Sequence, residues 1–489
     1  MAIGTFTFTQ EPIGTGDEVP VITNWTPVVP YSAKQTDISA LYYFKFILDV
    51  RIGSSGGTLI ARLKQRINGL NTTVNVAAVF DVKEIINSVL EPQTTDYNIV
   101  VNAVNTMPIH KLAANDGSTK PFSLNALQLR SIYVKGYQEF SSSATDSPTS
   151  HDATSDNDTR FYMAATLPLE TKRGTDNFQS GTTAAGDFGQ FQLDGSAGKL
   201  LSDVQKGYDG TVGASVYYNK VRSTDYHTVG FLNSFDDFDS EANLFRIRYY
   251  NAAGTNLTSS DGNLYEDIDN ITGNGGKTPA TGTSLSDSEM LLYFGCGPAN
   301  LEAQTANTYA RPSDGGYSGW AYYFVEGCKT GGSGRSAKYY FIKDDDNCKG
   351  FKVRRLGWLN NVGCWDYFNF KMKSRQTVNV KRNEYSTMLG EFNKEMYSYN
   401  NFGRGRKTRK IDATLTETIN TDWLTESEAT LLESLIISND VYVIENDDTT
   451  YTVPIIIKDT RYIRKTIAND KLMRYTITIE YANPLNTNS

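Results

Sequence analysis

The residues that could carry out chemistry lie mostly in two acidic turns. The first turn, FDDFDSE, spans residues 235–241 and holds four carboxylates. Paired carboxylates could serve as the acid and base of a glycoside hydrolase if they lay about 5–10 Å apart. The second turn, residues 344–347, offers oxygen ligands for a hard cation but lacks the spacing of an EF-hand loop. Solvated turns are the simpler interpretation of both.

Other chemically active groups are sparse. The chain has four cysteines without a CxxC motif and only three histidines, so metal binding and imidazole catalysis have little support. Unevenly spaced cysteines in a long chain are typical of buried thiols, with a disulfide or a zinc site as the alternative. The glycine-rich piece GGSG at 331–334 lacks the GK[ST] of a phosphate loop. We therefore predict no enzymatic activity and no cofactor. The cysteines are Cys296, Cys328, Cys348 and Cys364.

Composition points to a β-rich protein of several domains. The 489 residues suggest roughly three domains at about 150 residues each. Forty glycines and many Thr, Asn and Tyr residues favour strands and turns over helices. The net charge of −8 argues against nucleic acid as a partner, since phosphate binding needs a basic face. No apolar run is long enough to span a membrane, and no secretory leader is expected.

A strand around Trp365 is the packing element on which we centre the chain. Its sequence, WDYFNF, places large side chains on both faces and follows a turn that contains Asn360, Asn361 and Gly363. A strand that is apolar on both faces is typical of a sandwich interior or of a contact between domains.

The alternation of apolar residues predicts β-domains with few helices. A hairpin at 41–67 and a short capped helix after Asp81 suggest an immunoglobulin-like or fibronectin-like sandwich. The polar residues 141–160 predict a loop or linker. Long loops separate short strands from 161 to 375. After residue 376, strands and one helix near 426–437 predict an α+β module, with a further short helix near 382–389.

The predicted fold class is thus mainly β: a multidomain β-sandwich protein with a C-terminal α+β module carrying one helix. The predicted domains are an N-terminal arm and sandwich (1–140), a linker (141–160), a loop-rich β-domain (161–375) and an α+β assembly module (376–489). The arm is interpreted as a loop wrapped on its own domain or as a contact with a neighbouring subunit.

Aromatic and basic residues are the candidates for subunit contacts. Tyr and Trp give large contact areas with few rotors to order. A basic run suits an acidic partner surface or a loop that faces nucleic acid in a channel. A solvated loop is the alternative for the basic run at 404–410. The candidate interface residues are Trp365, Tyr367, Phe368, Trp423, Arg404, Arg406 and Arg409.

Several stretches resemble a family of structural virion proteins from tailed bacteriophages. They are FKFILDVRI, LIARLKQRI and AAVFDVKEIINSVL near the start, LLYFGCGPANL in the middle, and RRLGWLNNVGCWDYFNFKMKSRQTVNV, DWLTESEATLLESLIISNDVYVI and MRYTITIEYANP toward the end. Residues 141–280 add little to this likeness. The resemblance implies a component of the tail, baseplate or neck that is built from β-domains and assembles into symmetric rings or attaches fibres. It carries no catalytic signature.

The expected function is therefore assembly within a phage tail complex. The partners would be other virion proteins and copies of the same chain, and the location would be the virion after synthesis in the host cytoplasm. The main alternative is a host-surface or carbohydrate-binding adhesin that uses the middle loops, such as residues 171–198, or surface aromatics in GGYSGW at 315–320. A glycan-degrading tail enzyme that uses the acidic turns is a third hypothesis.

Overall fold

The computed structural model describes residues 41–66, 76–96, 108–113, 120–165, 193, 198–202, 218–233, 242–277, 286–345, 350–387, 390–398, 405–424, 426–445, 452–459 and 473–485, together with the backbone of three short strands nearer the start. Strands hold 48% of the described residues and helices 12%, which confirms the predicted mainly-β, multidomain class.

Two compact units make up the chain. Unit 1 contains residues 1–345 and 359–366, and unit 2 contains residues 346–358 and 367–489. The predicted boundaries at 140, 160 and 375 do not coincide with these units. Composition changes along the chain mark loops, whereas the units are set by strand pairings between distant segments, which local composition does not record.

Unit 1 contains strands that pair into four sheets within the described residues. The two three-stranded sheets follow strands 1–3–6 and 11–14–7, and the two five-stranded sheets follow strands 2–9–8–4–5 and 10–16–15–12–13. The strands are β1 (Thr5–Phe6), β2 (Val21–Ile22), β3 (Val28–Ala33), β4 (Tyr42–Ile52), β5 (Leu59–Arg66), β6 (Val76–Asp81), β7 (Phe122–Leu124), β8 (Leu129–Ser141), β9 (Thr149–Met163), β10 (Asn219–Val221), β11 (Thr228–Leu232), β12 (Leu244–Tyr250), β13 (Glu266–Asp269), β14 (Leu291–Gly295), β15 (Tyr322–Cys328) and β16 (Tyr339–Lys343).

Short helices connect these strands. The predicted helix after Asp81 is present as α1 (Lys83–Asn87), but the predicted cap is wrong: the N-cap is Val82, and no described side chain caps the helix. Asp81 Oδ1 accepts a hydrogen bond from Lys83 N at 3.0 Å. The other α-helices are α2 (Asp287–Met290) and α3 (Pro298–Ala303). The 3-10 helices are Ile109–Lys111, Thr272–Asn274, Thr308–Ala310 and Gly315–Tyr317.

The prediction of a linker over 141–160 is wrong for most of that segment. Only residues 142–148 form an irregular turn, and β9 then pairs antiparallel with β8 along nearly its whole length. Backbone hydrogen bonds do not depend on side-chain polarity, so a strand of polar residues completes a sheet when its neighbour supplies the ladder. β8 is such a neighbour because its apolar side chains Ile132 and Val134 are fixed in the core.

A second, aromatic core of unit 1 lies against the sheet formed by β10, β16, β15, β12 and β13. The rings of Phe122, Phe245 and Phe294 pack together there, with centroids 4.7–5.8 Å apart. Tyr249 and Tyr323 continue this layer at a centroid distance of 5.1 Å. Aromatic burial on this scale supplies much of the hydrophobic stabilisation of a β-domain.

Unit 2 is built on one seven-stranded sheet of order 18–17–23–24–25–22–19, with a separate two-stranded hairpin. Its strands are β17 (Arg354–Leu359), β18 (Trp365–Phe370), β19 (Arg375–Ser386), β20 (Glu391–Asn393), β21 (Met396–Ser398), β22 (Arg406–Asn420), β23 (Val441–Ile444), β24 (Thr452–Ile457) and β25 (Thr476–Tyr481), of which Leu359, Trp365 and Asp366 belong to unit 1.

A single helix covers this sheet within the described part of unit 2. Helix α4 (Glu426–Ile437) has the bounds that the sequence predicts, and its Ser434 Oγ accepts a hydrogen bond from the buried Trp358 Nε1 at 3.0 Å. The predicted short helix near 382–389 is wrong, because residues 382–386 belong to β19. None of the described helices of the protein has the length and apolar character that crossing a membrane requires.

Candidate assembly surface

A long exposed feature of unit 2 is the ladder between β19 and β22. Twelve residues of β19, about 40 Å of extended chain, pair antiparallel with β22. β25 pairs with β22 only over Thr416–Asn420, so the ladder extends beyond β25. Every side chain of β19 is exposed, and within the described residues β19 is hydrogen-bonded to a strand on one side only. An open edge of this length can pair with another chain.

The register of the ladder divides its side chains into two chemically different faces. Directly opposed residues point to the same side of the sheet, and the opposed pairs Val378–Leu415 and Val380–Ala413 are apolar. Ile411 lies opposite Arg382 on that side. We call Val378, Val380, Ile411, Ala413 and Leu415 the apolar ribbon face.

Exposure of the apolar ribbon face is high for a set of aliphatic side chains that adjoin one another. Val378 is 54% exposed, Val380 42% and Ile411 39%. The same face of β22 continues inward to Ile419, which is fully buried in unit 2. This side of β22 therefore passes from buried Glu417 and Ile419, through half-buried Ala413 and Leu415, to exposed Ile411. A contiguous apolar patch of this kind marks an interaction surface.

The opposite face of the β19–β22 ladder is polar, and its side chains contact one another. It carries the opposed pairs Thr377–Thr416, Asn379–Thr414 and Lys381–Asp412. Lys410 forms an ion pair with Asp412 at 3.0 Å, and Asn379 Nδ2 donates to Thr416 Oγ1 at 3.3 Å. These contacts stabilise the ladder without covering the apolar ribbon face.

The two strands are also basic. They hold seven lysine and arginine side chains against three carboxylates, whereas the whole chain has a net charge of −8. At a bulge between Asn383 and Glu384 the register skips Arg409 on β22. Arg406 forms an ion pair with the carboxylate of Glu384. The positive charge of the ladder thus contrasts with the acidic remainder of the protein.

A buried carboxylate anchors the base of the ladder. Glu417 Oε1 accepts from Arg354 Nε at 2.9 Å, and its Oε2 accepts from Tyr481 Oη at 2.7 Å and from Gln376 Nε2 at 3.1 Å. Burial alone raises the pKa of Glu417, but these hydrogen bonds outweigh burial, so the pKa lies below its usual value. Arg354 also donates to Glu445 at 3.0 Å. The network holds β17, β19, β22 and β25 together.

For three of the predicted interface residues, the prediction of a surface position is wrong. Trp365 is fully buried in unit 1, where its Nε1 donates to the carbonyl oxygen of Gln93 at 2.8 Å. Tyr367 and Phe368 are buried in unit 2, where the guanidinium of Arg355 lies 5.1 Å from the centre of the Tyr367 ring. The alternation of WDYFNF correctly indicates burial on both faces, and that burial takes place inside the chain.

The other predicted interface residues are accessible where the structure describes them. Trp423 is 54% exposed, with Arg474 5.1 Å from its ring centre. Arg406 and Arg409 are exposed on β22, so the basic run is strand from residue 406 onward and not a loop. Arg404 lies outside the described residues. The hairpin β20–β21 adds further exposed apolar side chains, those of Phe392, Met396 and Tyr397.

Among the described residues, the acidic and cysteine side chains that the sequence offers for chemistry do not come together in a metal site. The acidic turn at 235–241, residues 346 and 347, Cys348 and residues 171–192 lie outside the described residues. Cys296, Cys328 and Cys364 are buried thiols and not disulfides, as predicted, and burial raises the pKa of Cys328 to about 12. Among the described residues no three His, Cys, Asp or Glu side chains come together to hold a metal ion.

The aromatics of GGYSGW are not available for stacking on a sugar. Tyr317 lies at the end of a 3-10 helix and is fully buried, and Trp320 is nearly so. Their rings pack against Tyr249, with centroid distances of 4.2 and 6.0 Å. The prediction that this piece offers a surface aromatic is wrong, because the turn folds its rings into the core.

Sequence reasoning missed the apolar ribbon face. The alternation of Ile411, Ala413 and Leu415 correctly predicts a strand, and Val378 and Val380 alternate likewise. The missing information was the pairing of the two strands, since only their register places both apolar rows on one exposed side. Comparison with protein-family models found no match to this chain, and a search of curated proteins found none either.

Proposed function

We propose that this protein is a structural component of a bacteriophage tail complex, in the baseplate, tail tip or neck, and that it acts through contacts with copies of itself and with other virion proteins. The single observation that carries the assembly role is the exposed apolar ribbon face on the open-edged β19–β22 ladder. The virion setting comes from the sequence resemblance to tail-complex proteins.

An exposed apolar face beside an open strand edge supports assembly for two reasons. Val378 and Val380 would lose contact with water when covered, at about 25 cal/mol for each Å² buried. The edge of β19 would gain backbone hydrogen bonds when another chain pairs with it. Both gains come from the same partner in the same position, so covering the ladder is favourable and specific.

Charge favours a second copy of this chain as that partner. The ladder is basic and the rest of the chain is acidic, so the ladder of one copy attracts the acidic surface of the next. A contact between two different patches of identical chains closes into a ring when the rotation between copies allows it. Such a ring matches the symmetry expected of a tail component.

The test compares two charge-matched variants of the full-length chain. Val378→Asp combined with Val380→Asp places two carboxylates on the apolar ribbon face, whereas Thr377→Asp combined with Asn379→Asp places two on the polar face of the same strand. Sedimentation velocity at about 10 µM should show oligomers for the wild type and the polar-face variant, and monomers for the apolar-face variant.

Particle labelling tests the virion setting separately. An epitope tag on this chain should appear at a fixed position on tailed particles in electron micrographs. A wild-type chain that sediments as a monomer and is absent from purified particles would contradict the proposal. Equal oligomerisation of both variants would show that the apolar ribbon face is not the contact.

A further inference from the structure

The outer face of the sheet formed by β10, β16, β15, β12 and β13 carries an aromatic layer of its own. Phe245, Ile247 and Tyr249 of β12 point into the core, so the alternate residues of β12 lie on the opposite face. The register places Tyr250 opposite Tyr322 there. The aromatic sheet face, as we name it, consists of Tyr218, Tyr250, Tyr322, Phe324 and Tyr340.

The rings of this face form a connected layer. Tyr250 and Tyr322 stack at 4.8 Å with only 6° between their planes, and Tyr340 contacts Tyr218 at 5.5 Å and Phe324 at 5.7 Å. Tyr218 is exposed and the other three tyrosines are half-buried. Phe324 is buried at 2% exposure, so a ligand can reach this layer only at the four tyrosines.

Cationic groups lie over the layer. Lys338 Nζ is 4.9 Å from the ring centre of Phe324, and the Arg248 guanidinium lies 5.8 Å from the same ring. Neither forms an ion pair with a described residue, and the buried Nε of Arg248 has no hydrogen-bond acceptor within the described part of the chain. Two cations above an aromatic surface, one with an unused donor, suit a ligand that brings an anion.

The carboxylates nearby do not cancel this charge. Asp267 is held by Arg246 through two hydrogen bonds, at 2.8 and 2.9 Å. Glu326 lies among the cations, but burial raises its pKa above the usual value despite the attraction of Lys338, Arg246 and Arg248. Even with Glu326 ionised, the two cations Arg248 and Lys338 leave this face an excess of positive charge.

We propose that the aromatic sheet face binds an acidic oligosaccharide. The apolar side of a pyranose ring stacks on Tyr322 and Tyr250, and the carboxylate of the sugar accepts from the half-buried guanidinium of Arg248. Lys338 provides a second positive charge for the same group. The tyrosine hydroxyls are donors to sugar hydroxyls; burial raises the pKa of Tyr340 to about 12, so its hydroxyl is protonated at neutral pH. This site is independent of the apolar ribbon face.

The test is titration calorimetry of the full-length chain with three six-unit probes: galacturonate hexamer, maltohexaose and the oligonucleotide dT6. The galacturonate hexamer should bind and the other two should bind at least tenfold more weakly. Tyr322→Ala should weaken its binding about 3- to 10-fold, the scale of one aromatic stacking contact. Arg248→Gln should weaken it by about tenfold or more.

The control is Tyr309→Ala, which removes an exposed tyrosine outside the aromatic sheet face and should leave binding unchanged. Circular dichroism melts of each variant confirm that the fold is retained. No binding of the galacturonate hexamer at millimolar concentration overturns the proposal, as does binding that survives both Tyr322→Ala and Arg248→Gln. Equal binding of maltohexaose overturns the anionic ligand, and preferential binding of dT6 overturns the saccharide.

Discussion

Replacing Trp365 by Ala should destabilise unit 1 by about 3–5 kcal/mol. The indole is fully buried, so its removal leaves a cavity that the surrounding sheet cannot fill completely. The change also deletes the hydrogen bond to the carbonyl oxygen of Gln93 and an edge contact with the ring of His110, whose centroid lies 4.6 Å away. Trp365→Phe keeps most of the volume but loses the donor, and should cost about 1–2 kcal/mol.

The surroundings of Trp365 explain why local relaxation will not absorb the change. Asn360 Oδ1 accepts from the backbone N–H groups of Val362 and Cys364, at 3.1 and 2.9 Å, and its Nδ2 donates to Asp366 at 3.1 Å. Gln128 Nε2 donates to the carbonyl oxygen of Gly363. These bonds fix the backbone on the N-terminal side of the indole.

Urea unfolding followed by far-UV circular dichroism measures the effect, with hydrogen exchange of peptides from β8 and β14 to assign it to unit 1. Trp423→Ala is the matched control: its ring is half in solvent and contacts Arg474, so its removal should cost less than about 1 kcal/mol. A loss below about 1 kcal/mol for Trp365→Ala, or an equal loss for Trp423→Ala, would refute the assignment of Trp365 to the core.

Two further predictions concern buried contacts. Gly230→Ala would place a Cβ against Cys364 Sγ, so it should lower the free energy of unfolding in urea by about 1–3 kcal/mol. Adding Cys364→Ala to the same chain should recover part of that loss. Strictly additive effects of the two changes would argue against the contact. Because the pKa of Glu417 is lowered in the folded state, the stability that this carboxylate contributes is fully present above about pH 4.5 and is lost as the pH falls. Glu417→Gln should therefore cost about 2 kcal/mol at pH 7 and flatten the loss of stability between about pH 5 and 3. An unchanged acid profile would exclude Glu417 as the source of that loss.

Local pattern was sufficient for the fold class and for many single elements. Alternating residues predict strands such as β5 and β22, and the acidic start and apolar stripe of α4 predict that helix with its correct bounds. These features depend on side chains a few positions apart, which the sequence displays directly.

Non-local pairing accounts for the main errors. The polar residues of β9 look like a linker until β8 provides the backbone partners, and the residues after Lys381 look helical until β22 aligns with them. The burial of Trp365 likewise depends on Gln93, more than 270 positions earlier in the chain. No local window contains the two partners of such a contact.

The same reasoning identifies where this protein departs from a self-contained fold. On the side of β22 that carries Ile411, Ala413 and Leu415, Glu417 and Ile419 at the other end are fully buried, whereas Ile411 is 39% exposed. Polar residues are the usual choice for side chains that stay in water, so these apolar side chains are consistent with the assembly role that we propose. Under that proposal a second copy of the chain would cover them, because the charge of the ladder is opposite to that of the rest of the chain.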